Sequence, residues 1–278
     1  MANELVSAEW LVDHLDDEEI VVVDCRFDLK DTEAGRKQYI ERHIPGAVYF
    51  DLDKDLSGDV GIHGGRHPLP DLDDFAQKLG DSGIDESKHV VAYDDQNGSF
   101  AARLWWMLRY LGHDRVSVLD ISFSKWVEEG NPVTDEKINP EKTTFHPQLQ
   151  AEMALSIEEV KEEMGKENVL LVDSRAPERY SGETEPMDKK AGHIPGAANF
   201  FWKDNVGENG KWKSSQDISE RFNAVKDKDL IVYCGSGVTA NANLLALKAI
   251  GIDARLYIGS WSDWSSYEDN PVETGKTT

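Results

Sequence analysis

Short runs of apolar, mostly β-branched residues recur along the chain and are bounded by polar or turn-forming residues. They read VVVD at 21–24, VVAY at 90–93, LLVD at 170–173 and LIVY at 230–233. A run of this length without polar alternation is typical of a strand that is buried on both faces, as strands of parallel sheets are. The pattern therefore predicts parallel strands at these four places.

Stretches with apolar residues at helical spacing lie between these runs. They cover residues 69–84, 100–112, 156–165 and 239–251, and several of them end at a glycine, as helices commonly do. Strands that alternate with helices predict an α/β fold with a mainly parallel central sheet that is flanked by helices.

The same pattern occurs twice in the chain. VVVDCR at 21–26 is matched by LLVDSR at 170–175, and RHIPGAVYF at 42–50 is matched by GHIPGAANF at 192–200. Two further pairs follow in the same order at a spacing about ten residues shorter, so the first half carries an extra, glycine-rich segment within DLDKDLSGDVGIHGGRHPLP. The chain is therefore a tandem duplication.

The duplication predicts two domains. The stretch TDEKINPEKTTFHPQLQAE at 134–152 is charged, contains proline and has little apolar periodicity, which is typical of a linker. We place the boundary in its middle. The prediction is an N-terminal domain at 1–145 and a C-terminal domain at 146–278.

The composition excludes several classes of partner. The 278 residues contain 53 acidic and 30 basic residues, a net charge of −23, which repels nucleic-acid phosphates and anionic lipid headgroups. No apolar run approaches the roughly 20 residues of a membrane span, and the N-terminus lacks the pattern of a signal peptide. Two cysteines are too few for a disulfide framework. We expect a cytoplasmic protein that binds neither nucleic acid nor membranes.

The loop CGSGVTA at 234–240 follows the strand at 230–233 and contains no charged residue. Gly235 and Gly237 allow backbone N–H groups to converge on one point, and the helix that follows directs its positive end to the same point. A thiolate at Cys234 is expected to be stabilised there, and Ser236 can add a hydroxyl donor. The backbone N–H groups of Val238 and Thr239 complete the candidate site.

Other interpretations of this loop remain to be weighed. A small buried cysteine at the end of a strand is common. A phosphatase loop needs an arginine six residues after the cysteine, where this chain has Ala240. The fingerprint of a dinucleotide-binding loop is matched by GSGVTA, but too few residues follow the next strand to build a nucleotide domain. Sulfur transfer, in which the thiolate accepts a sulfane sulfur, is the chemistry that the loop favours.

Several motifs together resemble the tandem-domain rhodaneses. These are the two copies of D-x-R followed by H-I-P-G-A, the loop CGSGVTA in the second half alone, and the ending GSWSDW…NPVE. Within that family the form CGSG is similar to the loop of 3-mercaptopyruvate sulfurtransferases. The resemblance implies two rhodanese-like domains, of which the C-terminal one is catalytic, with the active site in the cleft between them and no cofactor.

The first half departs from the second at the position of the nucleophile. Asp94 stands where the second half has Cys234. A carboxylate does not accept a sulfane sulfur as a thiolate does, so we expect the first half to be inert in transfer. Cys25 stands where the second half has Ser174, and we expect it to fill the core.

The resemblance also implies residues that bind the donor. Arg179 matches an arginine that binds the donor's anionic group, and a planar guanidinium suits this role because it pairs with a carboxylate through two parallel hydrogen bonds. The family usually has a second arginine nine residues later, where this chain has Asp188, followed by Lys189 and Lys190. One of these lysines is expected to replace it.

The histidines allow more than one interpretation. By the resemblance, His43 assists proton movement, and a role in stabilising the turn is an equal alternative because the motif recurs at His193. His63 and His67 are four residues apart in HGGRH. The glycines between them oppose a helix that would place both on one face, and no cysteine or acid completes a tetrahedral set. No metal site is predicted.

The leading hypothesis is a sulfurtransferase. It would move a sulfane sulfur from 3-mercaptopyruvate or thiosulfate, through a persulfide on Cys234, to a thiol or cyanide, with a reducing protein such as thioredoxin as another acceptor. The rival hypothesis is a non-enzymatic rhodanese module that carries persulfide sulfur or docks a protein. A nicotinamide-dependent dehydrogenase is a third.

Overall fold

The computed structural model describes residues 4–275 and divides into two compact units. The first unit contains the chain up to Gly58, Leu69–Gln150 and Val206–Trp212; the second contains Asp59–Pro68, Ala151–Asn205 and the chain from Lys213 onwards. The domain ranges 1–145 and 146–278 stay a prediction, and their outermost three residues at each end of the chain lie outside the described residues.

Strands and helices alternate along the first unit, as the sequence pattern predicts. The elements are β1 (Leu5–Val6), α1 (Ala8–Asp13), β2 (Ile20–Asp24), α2 (Ala34–Glu41), β3 (Val48–Tyr49), α3 (Leu72–Asp81), β4 (His89–Tyr93), α4 (Ala101–Tyr110), β5 (Val116–Leu119) and α5 (Phe123–Glu128).

The second unit repeats this succession, with two short 3-10 turns in addition. The elements are a turn at Ala151–Met153, β6 (Ala154–Leu155), α6 (Ile157–Glu163), β7 (Val169–Asp173), α7 (Pro177–Tyr180), β8 (Ala198–Asn199), a turn at Trp202–Asn205, α8 (Ser215–Phe222), β9 (Asp229–Tyr233), α9 (Ala240–Ala249), β10 (Ala254–Tyr257) and α10 (Ser260–Trp264).

Each unit contains one five-stranded sheet, and every pair of neighbouring strands is parallel. The orders are β1-β5-β4-β2-β3 and β6-β10-β9-β7-β8, which are identical once the strands are numbered within their own unit. β4 and β9 lie at the centres of the sheets, and the residues at their carboxyl ends are buried. The predicted α/β class is therefore confirmed, and so is the duplication.

The repeated D-x-R and H-I-P-G-A motifs form one structural device in each unit. In the second unit Arg175 donates to both carboxylate oxygens of Asp173, with a shortest distance of 2.6 Å, and to the carbonyl of Gly192 at 2.7 Å. The hydroxyl of Tyr233 accepts the N–H of Ile194 at 3.2 Å. Arg26 makes the same contacts with Asp24 and the carbonyl of Arg42 in the first unit. These ion pairs, which have the same geometry in both units, hold the H-I-P-G-A turn before β3 or β8 at the carboxyl ends of the neighbouring strands.

The predicted linker packs against the first unit along its length. The N–H groups of Thr143, Gln148 and Gln150 donate to backbone carbonyls of that unit at 2.8 to 2.9 Å, and Phe145 is buried. Before the turn that begins at Ala151, the stretch forms no helix or strand of its own, but its backbone is held by hydrogen bonds. Among residues 4–275 no helix combines the length and apolar character that a membrane crossing requires.

Candidate active site

The loop at residues 234–239 links the central strand β9 to α9 in the second unit. Cys234 follows the last residue of β9 and is 1% exposed, and α9 starts at Ala240. Gly237 has a φ of +76°, and a Cβ atom added to it would lie 2.2 Å from the carbonyl oxygen of Ile258. Only glycine therefore fits at this position, which the sequence analysis assigned to the site.

The start of α10 holds the loop in place. The N–H of Cys234 donates to the hydroxyl of Ser260 at 3.2 Å, while the N–H groups of Trp261 and Ser262 donate to the carbonyls of Cys234 and Gly235 at 3.0 and 2.8 Å. Ser260 is fully buried and has a φ of +54°, a conformation that few non-glycine residues adopt. The GSW motif near the end of the chain thus positions the backbone around the nucleophile.

The first unit shows what a loop of this kind can hold. Its carboxylate at Asp94, the counterpart of Cys234, accepts four backbone hydrogen bonds at 2.7 to 2.9 Å from the N–H groups of Gln96, Gly98, Phe100 and Ala101. Burial raises the pKa of Asp94, and the four donors oppose that rise because they favour the charged form. The strand-to-helix loop of this fold is therefore a site for a buried anion.

Replacing Asp94 by asparagine tests this interpretation of the first unit. An amide presents one oxygen and one NH2 group, so two of the four N–H donors would face a donor. We expect the free energy of unfolding to fall by about 2 kcal/mol, measured by urea denaturation. Asp95→Asn is the control, because Asp95 accepts from the backbone N–H and the hydroxyl of Ser124, which is exposed. Equal stability of the two variants would contradict the interpretation.

A histidine that the sequence analysis did not assign lies beside the nucleophile loop. Nδ1 of His67 is 2.7 Å from the hydroxyl oxygen of Ser236, and both residues are less than 9% exposed. The hydroxyl donates when Nδ1 is unprotonated and accepts when it carries the proton. His67 comes from the extra segment of the first half, Asp59–Pro68, which is part of the second unit. The sequence did contain a signal for His67: HGGRH places His and Arg residues together in a segment that the other half lacks.

His43 has the environment that a turn-stabilising residue would have, and its assignment to proton transfer stays a prediction. It belongs to the first unit, is 0% exposed and has Nδ1 2.6 Å from the carbonyl of Tyr39 and Nε2 3.2 Å from that of Glu136. Both ring nitrogens are therefore engaged by the backbone. His193 has the same contact with the carbonyl of Tyr180 and stacks on its ring at 3.7 Å. Both histidines thus make the backbone contacts that a turn-stabilising role requires.

Of the predicted donor-binding residues Arg179, Lys189 and Lys190, the arginine lies beside the loop, while the lysines have other surroundings. Arg179 lies next to the loop, because a Cβ atom added to Gly235 would lie 3.2 Å from its Nη1. Its guanidinium also donates to Glu185 at 2.7 Å and to Asp188 at 2.9 Å. Lys190 instead donates to three backbone carbonyls at residues 267, 268 and 270. Its ammonium is thus already satisfied by the backbone, and Lys189 is exposed.

Another arginine approaches the same point as Arg179. Nη2 of Arg66 would lie 3.1 Å from a Cβ atom on Gly235, so two guanidinium groups contact the residue after the nucleophile. The second unit therefore brings together Cys234, the backbone of its loop, Ser236 with His67, and two arginines. A thiol, a loop of backbone N–H groups, an imidazole beside a hydroxyl and two guanidinium groups are the kinds of group that a transfer from an anionic donor uses.

Known proteins resemble this chain over nearly its whole length. The model of the rhodanese-like domain matches residues 7–129 and 156–267. The chain belongs to the rhodanese family, with one such domain in each half. A probable 3-mercaptopyruvate sulfurtransferase of Pseudomonas aeruginosa is 40% identical over 280 residues and 98% of both chains. The thiosulfate sulfurtransferase of Bos taurus is 37% identical over 285 residues, 97% of this chain and 94% of the relative.

A solved structure extends the likeness to three dimensions. SseA from Escherichia coli, a 3-mercaptopyruvate sulfotransferase, matches 94% of this chain and 100% of its own with a TM-score of 0.81 and 31% identity. These relatives confirm the predicted class of enzyme, a sulfurtransferase. They imply substrates of two kinds, a sulfur donor and an acceptor such as a thiol or cyanide.

Proposed function

We propose that the protein transfers a sulfane sulfur from a small anionic donor to a thiol or cyanide through a persulfide on Cys234. The observation that carries this proposal is the pair of equivalent loops. The loop in the first unit holds the buried carboxylate of Asp94 with four N–H groups, and the loop in the second unit presents Cys234 at the corresponding place. The relatives named above support 3-mercaptopyruvate as the donor, with thiosulfate as the second.

The first half-reaction breaks one bond of the donor. The thiolate of Cys234 attacks the sulfur of 3-mercaptopyruvate, and the carbon–sulfur bond breaks with its electron pair remaining on carbon as the enolate of pyruvate. The enolate then takes up one proton and becomes pyruvate. With thiosulfate the sulfur–sulfur bond breaks instead, and sulfite leaves with the electron pair. In both cases the sulfur remains on Cys234 as a persulfide.

The second half-reaction restores the enzyme. An acceptor thiolate or cyanide attacks the outer sulfur of the persulfide, and the electron pair of the sulfur–sulfur bond returns to Cys234 as a thiolate. The backbone N–H groups of the loop stabilise the negative charge on sulfur in both steps. A loop that is fixed by α10 does this without reorganising, which is the condition under which such donors lower a barrier most.

The pair of Ser236 and His67 is suited to deliver the proton to the enolate. An imidazole changes its protonation state near neutral pH, and the serine hydroxyl 2.7 Å away can pass the proton on. His67 thereby takes the role that the resemblance implied for His43.

Both Cys25 and Cys234 are free thiols, which fits a reducing compartment. We therefore extend the proposal to the cytoplasm and to a thioredoxin-like protein as acceptor.

Mass spectrometry of the donor-treated protein tests the proposal directly. After exposure to 3-mercaptopyruvate and digestion without reductant, the peptide that contains Cys234 is expected to gain the mass of one sulfur atom, and the peptide with Cys25 is not. Cyanide should remove the added sulfur as thiocyanate. No gain, or a gain at Cys25, would refute the proposal.

Steady-state turnover separates the enzyme from a carrier. A non-enzymatic carrier would load sulfur once and release none to small acceptors, so thiocyanate would not exceed one equivalent per protein molecule. We expect many equivalents of thiocyanate per protein molecule, because cyanide regenerates the thiolate of Cys234 and a new donor molecule can then react.

A further inference from the structure

Two backbone N–H groups hold the segment Asp59–Pro68 on α10. The N–H of Gly64 donates to Oδ1 of Asp263 at 2.8 Å, and the N–H of Arg66 donates to the hydroxyl of Ser262 at 3.1 Å. Gly64 and Gly65 have φ values of +93° and +86°, which glycine adopts without strain. The backbone that carries Arg66 is therefore held on α10, the same helix that holds the nucleophile loop.

The side chain of Arg66 is directed to the nucleophile loop. Its Nη2 and the Nη1 of Arg179 would lie 3.1 and 3.2 Å from a Cβ atom on Gly235. Both side chains are partly open, at 27% and 18% exposure. The Nε of Arg66 is buried and has no hydrogen-bond acceptor among residues 4–275. A buried guanidinium N–H without an acceptor is costly unless an anion is supplied.

The carboxylate of Asp188 contacts both Arg66 and Arg179. One oxygen of Asp188 contacts Nη1 of Arg66, and the other accepts from Nη2 of Arg179 at 2.9 Å. The side chain of Asp188 is 4% exposed, and burial raises its pKa, while the guanidinium groups of Arg66 and Arg179 act in the opposite direction. Glu185 pairs with Arg179 at 2.7 Å and with Arg175 at 3.2 Å. Arg175 has a carboxylate of its own in Asp173, so the cations around the site face as many anions.

We propose that Arg66 is the second anion-binding residue of the donor site and that Asp188 limits the charge the site accepts; this rests on the function proposed above. Asp188 carries the charge opposite to that of the two arginines it contacts, and one of these, Arg66, comes from the segment Asp59–Pro68. Because the carboxylates of Asp188 and Glu185 offset much of the positive charge, the site suits a single carboxylate better than a dianion. The donor class is therefore a monocarboxylate with a sulfane sulfur or thiol.

Kinetics of Arg66→Gln test the first part. We expect the KM for 3-mercaptopyruvate to rise roughly 10- to 50-fold with kcat nearly unchanged, and Arg66→Lys to recover part of the loss. The control is Arg36→Gln, which makes the same substitution at an exposed arginine of α2 in the first unit and should leave KM within about twofold. Equal KM values for the Arg66→Gln and Arg36→Gln variants would overturn the proposal, and so would a loss confined to kcat.

Asp188→Asn tests the second part. Removal of one negative charge should lower the KM for thiosulfate, a dianion, by roughly tenfold, and that for 3-mercaptopyruvate by less. If Asp188 only held Arg66 in place, both KM values would rise together, which would overturn the proposal. Persulfide formation on wild-type Cys234 is read in parallel, so a failed function, in which wild type gains no sulfur, is distinguished from a failed assignment of Arg66.

Discussion

Replacing Cys234 by serine is expected to lower kcat/KM for both 3-mercaptopyruvate and thiosulfate by at least about 10³-fold. A serine hydroxyl is not ionised near neutral pH and does not carry a persulfide, so the first half-reaction has no nucleophile. The fold should survive, because serine differs little from cysteine in size and Ser236 shows that the loop accepts hydroxyl groups. Rates of pyruvate and thiocyanate formation measure the effect, and circular dichroism checks the fold.

Cys25→Ala is the matched control for the nucleophile. Cys25 is the other thiol of the chain, is 1% exposed, and lies at the end of β2 in the first unit. Burial raises its pKa, and the nearby carboxylates of Asp24, Asp94 and Asp55 raise it further. It is therefore held as an inert thiol, and we expect activity within about twofold of wild type. A similar loss in both variants would show that the thiols act on stability and not on transfer.

Gly237→Ala is expected to remove activity by distorting the loop and to lower the free energy of unfolding by about 4 kcal/mol. Two penalties add: the left-handed φ of +76°, and a Cβ atom 2.2 Å from the carbonyl oxygen of Ile258. Gly237 is buried and Ile258 is partly buried, so the backbone has little room to shift. Urea denaturation measures the loss of stability, and persulfide formation measures the loss of the site.

Gly251→Ala separates the two penalties. Gly251 has a φ of +79°, and nothing lies within 4 Å of an added Cβ atom. We expect a loss of about 1 kcal/mol with full activity. The difference between the two variants then gives the cost of the contact with Ile258. Equal losses would mean that the close approach of β10 does not constrain the loop.

The pattern of apolar residues was sufficient to predict the central strands of each unit. The four predicted strands lie within β2, β4, β7 and β9, because strands buried on both faces need continuous apolar runs. α2 was not predicted, since Gly35 is its one buried residue among the described ones and a helix with an exposed surface shows no apolar stripe. The local pattern also revealed the loop at Cys234, because strand, glycines and helix are adjacent in the chain.

Contacts between distant segments were not accessible in this way. His67 and Ser236 are 169 residues apart, and Arg66 and Asp188 are 122 residues apart. Their pairing depends on where a glycine-rich segment docks, which no periodicity encodes. His43 was assigned to proton transfer by the resemblance alone, whereas its recurrence as His193 offered a role in the turn that both halves share as an equal alternative.

The membership of Asp59–Pro68 in the second unit changes what the duplication means. A fragment cut at the linker, from residue 151 to the end, would keep the thiol and lose the imidazole and one guanidinium. The two halves thus share a fold, but the ten residues Asp59–Pro68 of the first half belong to the second unit. Each half alone encodes a five-stranded sheet, whereas the proposed site needs residues from both halves of one polypeptide.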